Sequence, residues 1–377
     1  MASTTLLSTI TATSVISSQL HSTSTSSSPL PAATSSTPPS SPSALTGPYA
    51  GFAYGAFWHE TQAKTYADFL RQFTLAKNLP GVPVPFTSAR LFQTSQWGTA
   101  TEPSTAFQAA IETKTTLLLG MWIAEGVGIN NELIALDTAF KKFGQQLADL
   151  VIGISVGNED IYRSTSQCRE KNNDKPCSSS FTAEQVQAYV KQARDTITKK
   201  DWYKQYFTTR SLKIGHTDTV GSAMFDTFNA NLDFTGATIY PVWNNDPIEN
   251  AWDSFSNSFH QVQSHAGNTP VWITETGWPS SGEAVKTAQA SLANMRKYWV
   301  DVGCKTFGKN SIWWFELEKN SYDGFDWGII DIPSQKPKID LSCPGFDDEK
   351  AAQVSSGRKR RNGFKGMPLS TNPWVPA

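Results

Sequence analysis

Between residues 50 and 316 the chain alternates eight short apolar runs with longer amphipathic stretches, a rhythm that few architectures satisfy. The runs are Ala50–Phe57, Ser88–Gln93, Thr116–Trp122, Val151–Val156, Leu212–Thr217, Phe234–Tyr240, Val271–Glu275 and Ile312–Glu316. Most are rich in β-branched or aromatic residues and read as strands. The fourth, Val-Ile-Gly-Ile-Ser-Val, is apolar on both faces, as in a sheet covered on both sides. Between the runs lie helical patterns. Thr182 to Gln185 forms a capping box, and Val186, Tyr189, Val190, Ala193 and Ile197 follow at helical spacing. Phe69, Leu70 and Phe73 read the same way, as do Leu292, Met295 and Trp299. Strand and helix alternating over a region of about 300 residues predict an α/β fold, and eight alternations suit a closed (β/α)8 barrel better than an open doubly wound sheet.

The barrel is expected over residues 47–345 as a single catalytic domain. Residues 1–46 differ in kind: more than half of the positions from Ser3 to Thr46 are Ser or Thr, interspersed with Pro, and such a segment cannot bury enough apolar surface to offset its chain entropy. It is expected to be a disordered stalk. Met1 to Leu20 is biased toward apolar residues but lacks a basic leading region, a weak signal sequence. Residues 346–377 are polar and carry the run Arg358, Lys359, Arg360, Arg361, expected as a solvated tail.

A formal net charge of -1 gives no attraction to nucleic acid, and no run approaches the roughly 20 apolar residues of a membrane span. An uncharged partner fits better. Thirteen Trp and 21 Phe supply rings that pack the core and, where exposed, stack on sugars. Cys168, Cys177, Cys304 and Cys343 show no zinc-ligand spacing. The expected pairing is Cys168 with Cys177 across a polar insertion and Cys304 with Cys343 between the last helix and the end of the domain; other connectivities and free thiols stay open. Disulfides imply export, and the product is expected to be a monomer, soluble or wall-associated.

Catalytic side chains of such barrels sit where strands end. The fourth run ends in Asn158-Glu159-Asp160 and the seventh in Glu275-Thr-Gly-Trp278. A carboxylate directly after an apolar strand is costly to bury, which marks a functional role or a structural ion pair. Two together point to glycosidic bond cleavage with retention, which needs two carboxyl groups about 5 to 5.5 Å apart. Asn158 offers an amide to the sugar 2-hydroxyl.

Ser-Val-Gly-Asn-Glu followed by Thr-Glu-Thr-Gly-Trp-Pro-Ser-Ser-Gly resembles the family 17 glycoside hydrolases, and the likeness extends over most of residues 50 to 345. Gly51-Phe-Ala-Tyr-Gly55 is similar to that family's opening strand and Ala-Thr-Ile-Tyr240-Pro-Val-Trp243 to its sixth. The resemblance implies Glu159 as acid/base, Glu275 as nucleophile and Tyr240 beside the nucleophile. It implies β-1,3-glucan as substrate, hydrolysis or glucanosyl transfer as activity, and no cofactor or metal. Trp243 is a candidate for sugar stacking and Trp278 for a structural role. Glu316 is a candidate hydroxyl ligand, with a structural ion pair as the alternative, since the sequence departs from the family after it. The second strand departs too: Leu91 to Trp97 lacks the acidic residue often found in the family there. The rival class is a wall-bound lectin-like protein, and retention of both glutamates argues against it.

Overall fold

The computed structural model describes residues 45–345 apart from 60, 226–228, 230, 284 and 321–323. The stalk expected over residues 1–46 lies outside the described residues except for its last two, as does the tail from residue 346, with its basic run. Eight strands, β1 (Ala50–Tyr54), β2 (Ser88–Leu91), β3 (Thr116–Met121), β4 (Val151–Val156), β5 (Lys213–Thr219), β6 (Thr235–Thr238), β7 (Val271–Thr276) and β8 (Ile312–Trp314), form a closed barrel. Each pairs in parallel with the next, and β8 returns to β1 with Ala50 opposite Ile312.

All eight expected runs are strands, and β4 matches residue for residue. The first, second, third, sixth and eighth stop short of their expected carboxyl ends, where the chain leaves the ladder to form the mouth. After Tyr54, for example, it turns into a small hairpin pairing Phe57–His59 with Gln62–Ala63. β5 runs two residues further than expected, through Asp218 and Thr219.

The coverings are α1 (Tyr66–Lys77), α2 (Ala106–Thr113), α3 (Asn130–Ala148), α4 (Ala183–Ile197), α5 (Val220–Ala223), α6 (Ala251–Ala266) and α7 (Leu292–Tyr298). The Thr182 capping box is present, and Val186, Val190, Ala193 and Ile197 of α4 are buried. Two expectations need correction. The return after β5 is only the four-residue α5 among the described residues. Leu292 does not join the apolar face of α7: at the first turn it points outward, 49% exposed, while Met295 and Trp299 are buried. No described helix is long and apolar enough to cross a membrane.

The disulfides join Cys168 to Cys177 and Cys304 to Cys343. The second anchors the end of the domain, whose Leu341 carbonyl accepts from Trp299 Nε1 at 3.0 Å.

The barrel interior is divided. At the amino ends of the strands Leu118, Ile152, Phe234, Trp272 and Trp313 form a dry floor. Phe234 stacks on Trp272 at 4.0 Å, and Trp313 Nε1 donates to Ser88 Oγ at 3.1 Å. Above that floor the interior turns polar. Removing the fully buried Trp313 ring from the floor leaves a cavity that rigid strands cannot close, so Trp313→Ala should cost about 3–5 kcal/mol in urea unfolding. A loss under about 1 kcal/mol would show that the floor is not a tightly packed layer.

Candidate active site

Alternation along β2 turns Arg90 inward at the level where β4 and β7 end. Its side chain is 1% exposed and joins three strands. One terminal nitrogen pairs with Glu275 Oε1 at 2.5 Å, and the other donates to Asn158 Oδ1 at 2.5 Å. Because guanidinium only donates, the amide oxygen of Asn158 must face it, which leaves Asn158 Nδ2 as a donor. Glu275, the fifth residue of β7, is 7% exposed and takes a second donor, the Tyr240 hydroxyl, on Oε2 at 2.8 Å. Both oxygens of one carboxyl group are thus held by named donors from β2 and from the end of β6.

Glu159 is placed differently. Past β4 the chain bends through Gly157, with φ 79°, where a Cβ would lie 2.2 Å from Asp160 Oδ2. Glu159 itself has φ 56°, a left-handed conformation that costs about 1–3 kcal/mol for a side-chain-bearing residue and persists only where its surroundings enforce it. Its backbone N–H donates to Thr217 O at 2.9 Å, and its Oε1 accepts from Thr238 Oγ1 at 2.7 Å. Enclosure by the barrel mouth, followed by the negative charge of Glu275, pushes its carboxyl up to about 7, against the Thr238 hydrogen bond and Arg163. Of the sequence-predicted residues, Glu275 and Asn158 therefore meet on Arg90, Tyr240 joins them through Glu275, and Glu159 lies close enough to feel the Glu275 charge.

Trp243 lies half-buried at the rim, its ring 5.6 Å from Trp327 and 5.3 Å from Phe325. Together with Tyr240, 5.4 Å from Trp327, they make one aromatic wall. Trp278 is fully buried and donates to Gln289 O at 3.0 Å, a core role. Glu316 is also buried, accepting from Asn320 N at 3.0 Å. Lys64 lies near it: burial drives the Lys64 ammonium down to about 8, against the pull of Glu316, Glu318 and Asp68. This gives the ion-pair reading of Glu316 a partner.

Sequence reasoning missed Arg90 and Thr238. An arginine inside an apolar strand was the available signal for the first; a threonine in a strand carries none. The loop after the second strand is tied to Glu132 of α3, which accepts from the backbone N–H groups of Thr94 and Ser95 and from Ser95 Oγ. That loop and the end of β3 bound a cavity of about 450 Å³ lined by Gln93, Trp97, Trp122 and Asn131. Among the described residues no group of three or more His, Cys, Asp and Glu is placed to hold a metal ion.

The BtgE/BtgC glycoside hydrolase domain model matches residues 51–323. The chain belongs to this family of glycoside hydrolases. The resemblance to the family 17 glycoside hydrolases read from the sequence agrees with this membership. The chain is 35% identical over 319 residues to a probable glucan endo-1,3-beta-glucosidase of Aspergillus terreus, covering 82% of this chain and 63% of the relative. It is 38% identical over 308 residues to a probable glucan endo-1,3-beta-glucosidase of Aspergillus fumigatus (strain Af293), covering 78% of this chain and 65% of the relative. It thus spans a little under two thirds of these relatives. In fold it is similar to an active-site mutant of Rhizomucor miehei beta-1,3-glucanosyltransferase in complex with laminaritriose: TM-score 0.62, 22% identity, 78% of this chain and 98% of the other.

The electrostatic link between the glutamates is directly measurable. Since the charge of Glu275 raises Glu159, Glu275→Gln should lower the Glu159 pKa, read by carbon-13 NMR titration of labelled glutamate carboxyls. An unchanged midpoint would show that the two groups do not sense each other.

Proposed function

We propose that the chain cleaves β-1,3-glucan with retention, through a covalent glycosyl-enzyme on Glu275. The observation that carries this reading is the unlike setting of the two carboxyl groups. Glu275 meets a guanidinium and a phenol, donors that suit an anion poised to attack. Glu159 meets a hydroxyl and a neighbouring negative charge, a setting that keeps a proton until a leaving oxygen takes it. Asn158, fixed by Arg90, supplies the donor for the sugar 2-hydroxyl, and Trp243 a face for a ring. Breakage of the glycosidic bond sends its electron pair to the leaving oxygen, which takes the Glu159 proton as Glu275 bonds to the anomeric carbon. Glu159, now a base, deprotonates the incoming acceptor, whose oxygen bonds to the anomeric carbon as the Glu275 ester bond breaks and its electron pair returns to the carboxylate. The names of the Aspergillus relatives support the substrate. Two disulfides support an exported protein.

The aromatic wall of Tyr240, Trp243 and Trp327 favours a second reading in which the acceptor is another glucan. Mass spectrometry of products from a defined β-1,3 oligosaccharide, beside a β-1,4 one, separates the two. Shorter products alone mean hydrolysis, and products longer than the input mean transfer. An unchanged β-1,3 substrate with folded protein would falsify both.

Because the acid must be protonated, kcat/KM should be retained below, and lost above, an apparent pKa of about 7. Glu275→Gln should abolish turnover while leaving the fold intact. Glu159→Ala should lower kcat/KM about 10²- to 10⁴-fold on glucan yet spare substrates whose leaving group needs no proton. Equal losses on both substrate types would remove Glu159 from the acid role.

A further inference from the structure

Behind Glu159, on the face of β5 opposite Thr217, lies a charged cluster that the reaction does not use: Asp160, His216 and Asp218, each 0% exposed. His216 Nδ1 lies 2.6 Å from Val156 O, and Nε2 lies 3.1 Å from Asp218 Oδ2. Both partners are acceptors. A neutral imidazole has one N–H and would turn a lone pair toward one of them, so this environment selects the doubly protonated ring. Burial opposes the charge, but the hydrogen bond and attraction of Asp218 and the attraction of Asp160 outweigh it and raise the ring above its ordinary value.

Asp218 passes this charge to the backbone. Its Oδ2 accepts from Ile161 N at 2.9 Å, and its Oδ1 from Tyr162 N at 3.2 Å and Thr219 N at 2.8 Å. On the other side of Glu159, Asp160 Oδ2 accepts from Asn158 N at 2.5 Å, while Arg163 donates to the Asn158 carbonyl and to Asp160 Oδ1. The strained residue is therefore gripped just before and just after its own φ of 56°. Two buried aspartates face two cations, His216 and Arg163. Without the imidazolium one carboxylate is left uncompensated, and a protonated Asp218 would give up acceptor capacity that the turn uses.

We propose that His216 is a buried imidazolium acting as a positioning residue, which through Asp218 locks the turn that aims Glu159 at the glycosidic oxygen. The inference rests on the acid/base reading of Glu159. Its test uses His216→Gln, which keeps a donor but loses the charge. With a β-1,3-linked oligosaccharide kcat/KM should fall about a hundredfold, and with a β-1,3-glucoside carrying a dinitrophenolate leaving group it should stay within about threefold. Equal loss on both substrates, or loss on neither, overturns the proposal. If the variant does not fold, nitrogen-15 NMR of histidine in the unaltered chain decides: at a pH above the ordinary histidine value, His216 should show two protonated ring nitrogens, and a neutral ring overturns it. An unaltered chain that leaves β-1,3-glucan intact would count against the functional reading alone, because the NMR result stands apart from activity.

Discussion

The guanidinium of Arg90 is the interaction on which the rest of the site depends. It leaves β2, is almost wholly buried, and ends on Glu275 of β7 and Asn158 beyond β4. A buried cation of this kind is costly unless it is paired and hydrogen-bonded, and removing a single partner strands the others. The three groups therefore hold one another, and their spacing is set by a barrel cross-section whose width is fixed by strand pairing. The aromatic floor beneath contributes in a different way. It fills the lower barrel with Phe234, Trp272 and Trp313 and gives strands little room to drift.

Two chemically identical side chains acquire different characters because different strands surround them. Glu275 leans into the barrel from within a strand and meets donors on both oxygens. Glu159 stands beyond a strand, on a left-handed turn, and meets Thr238 and the field of Glu275. Both carboxyl groups start from the same intrinsic proton affinity, so any difference between them comes from their surroundings. The left-handed backbone makes this possible: with Gly157 the chain reverses fast enough to bring Glu159 back over the mouth. The strain is held locally by hydrogen bonds to Thr217, Asp160 and Asp218.

Much of the fold was legible because strand burial imposes a local signature. Both faces of Val151 to Val156 are covered, so its run is uniformly apolar, and its boundaries follow from the sequence. Boundaries blurred where strands open into the mouth, since Phe57 and Phe315 stay apolar after leaving the ladder. Leu292 misled because an apolar side chain at a helix start can face solvent without large penalty. In the site, Glu159, Glu275 and Tyr240 were legible as residues ending apolar runs or through a specific motif. Thr238 was not, because its importance lies in a partner 79 residues away along the chain, and Arg90 signalled only that it is out of place in an apolar strand, its partner Glu275 lying 185 residues away.

The β2 loop shows how far a motif can be trusted. Judged by sequence, Leu91 to Trp97 lacks an acidic residue. In space a carboxylate is there: Glu132 arrives from α3, is buried, and receives the Thr94 and Ser95 amides together with the Ser95 hydroxyl. Burial raises its pKa while those hydrogen bonds oppose the rise. Anchored through its backbone, the loop can hold Gln93 and Trp97 at the edge of the cavity beside Trp122. Motifs register where a chemical group is attached to the chain, whereas the barrel needs only that the group reach the right place. A loop with no acid of its own is thus anchored on one that arrives from α3.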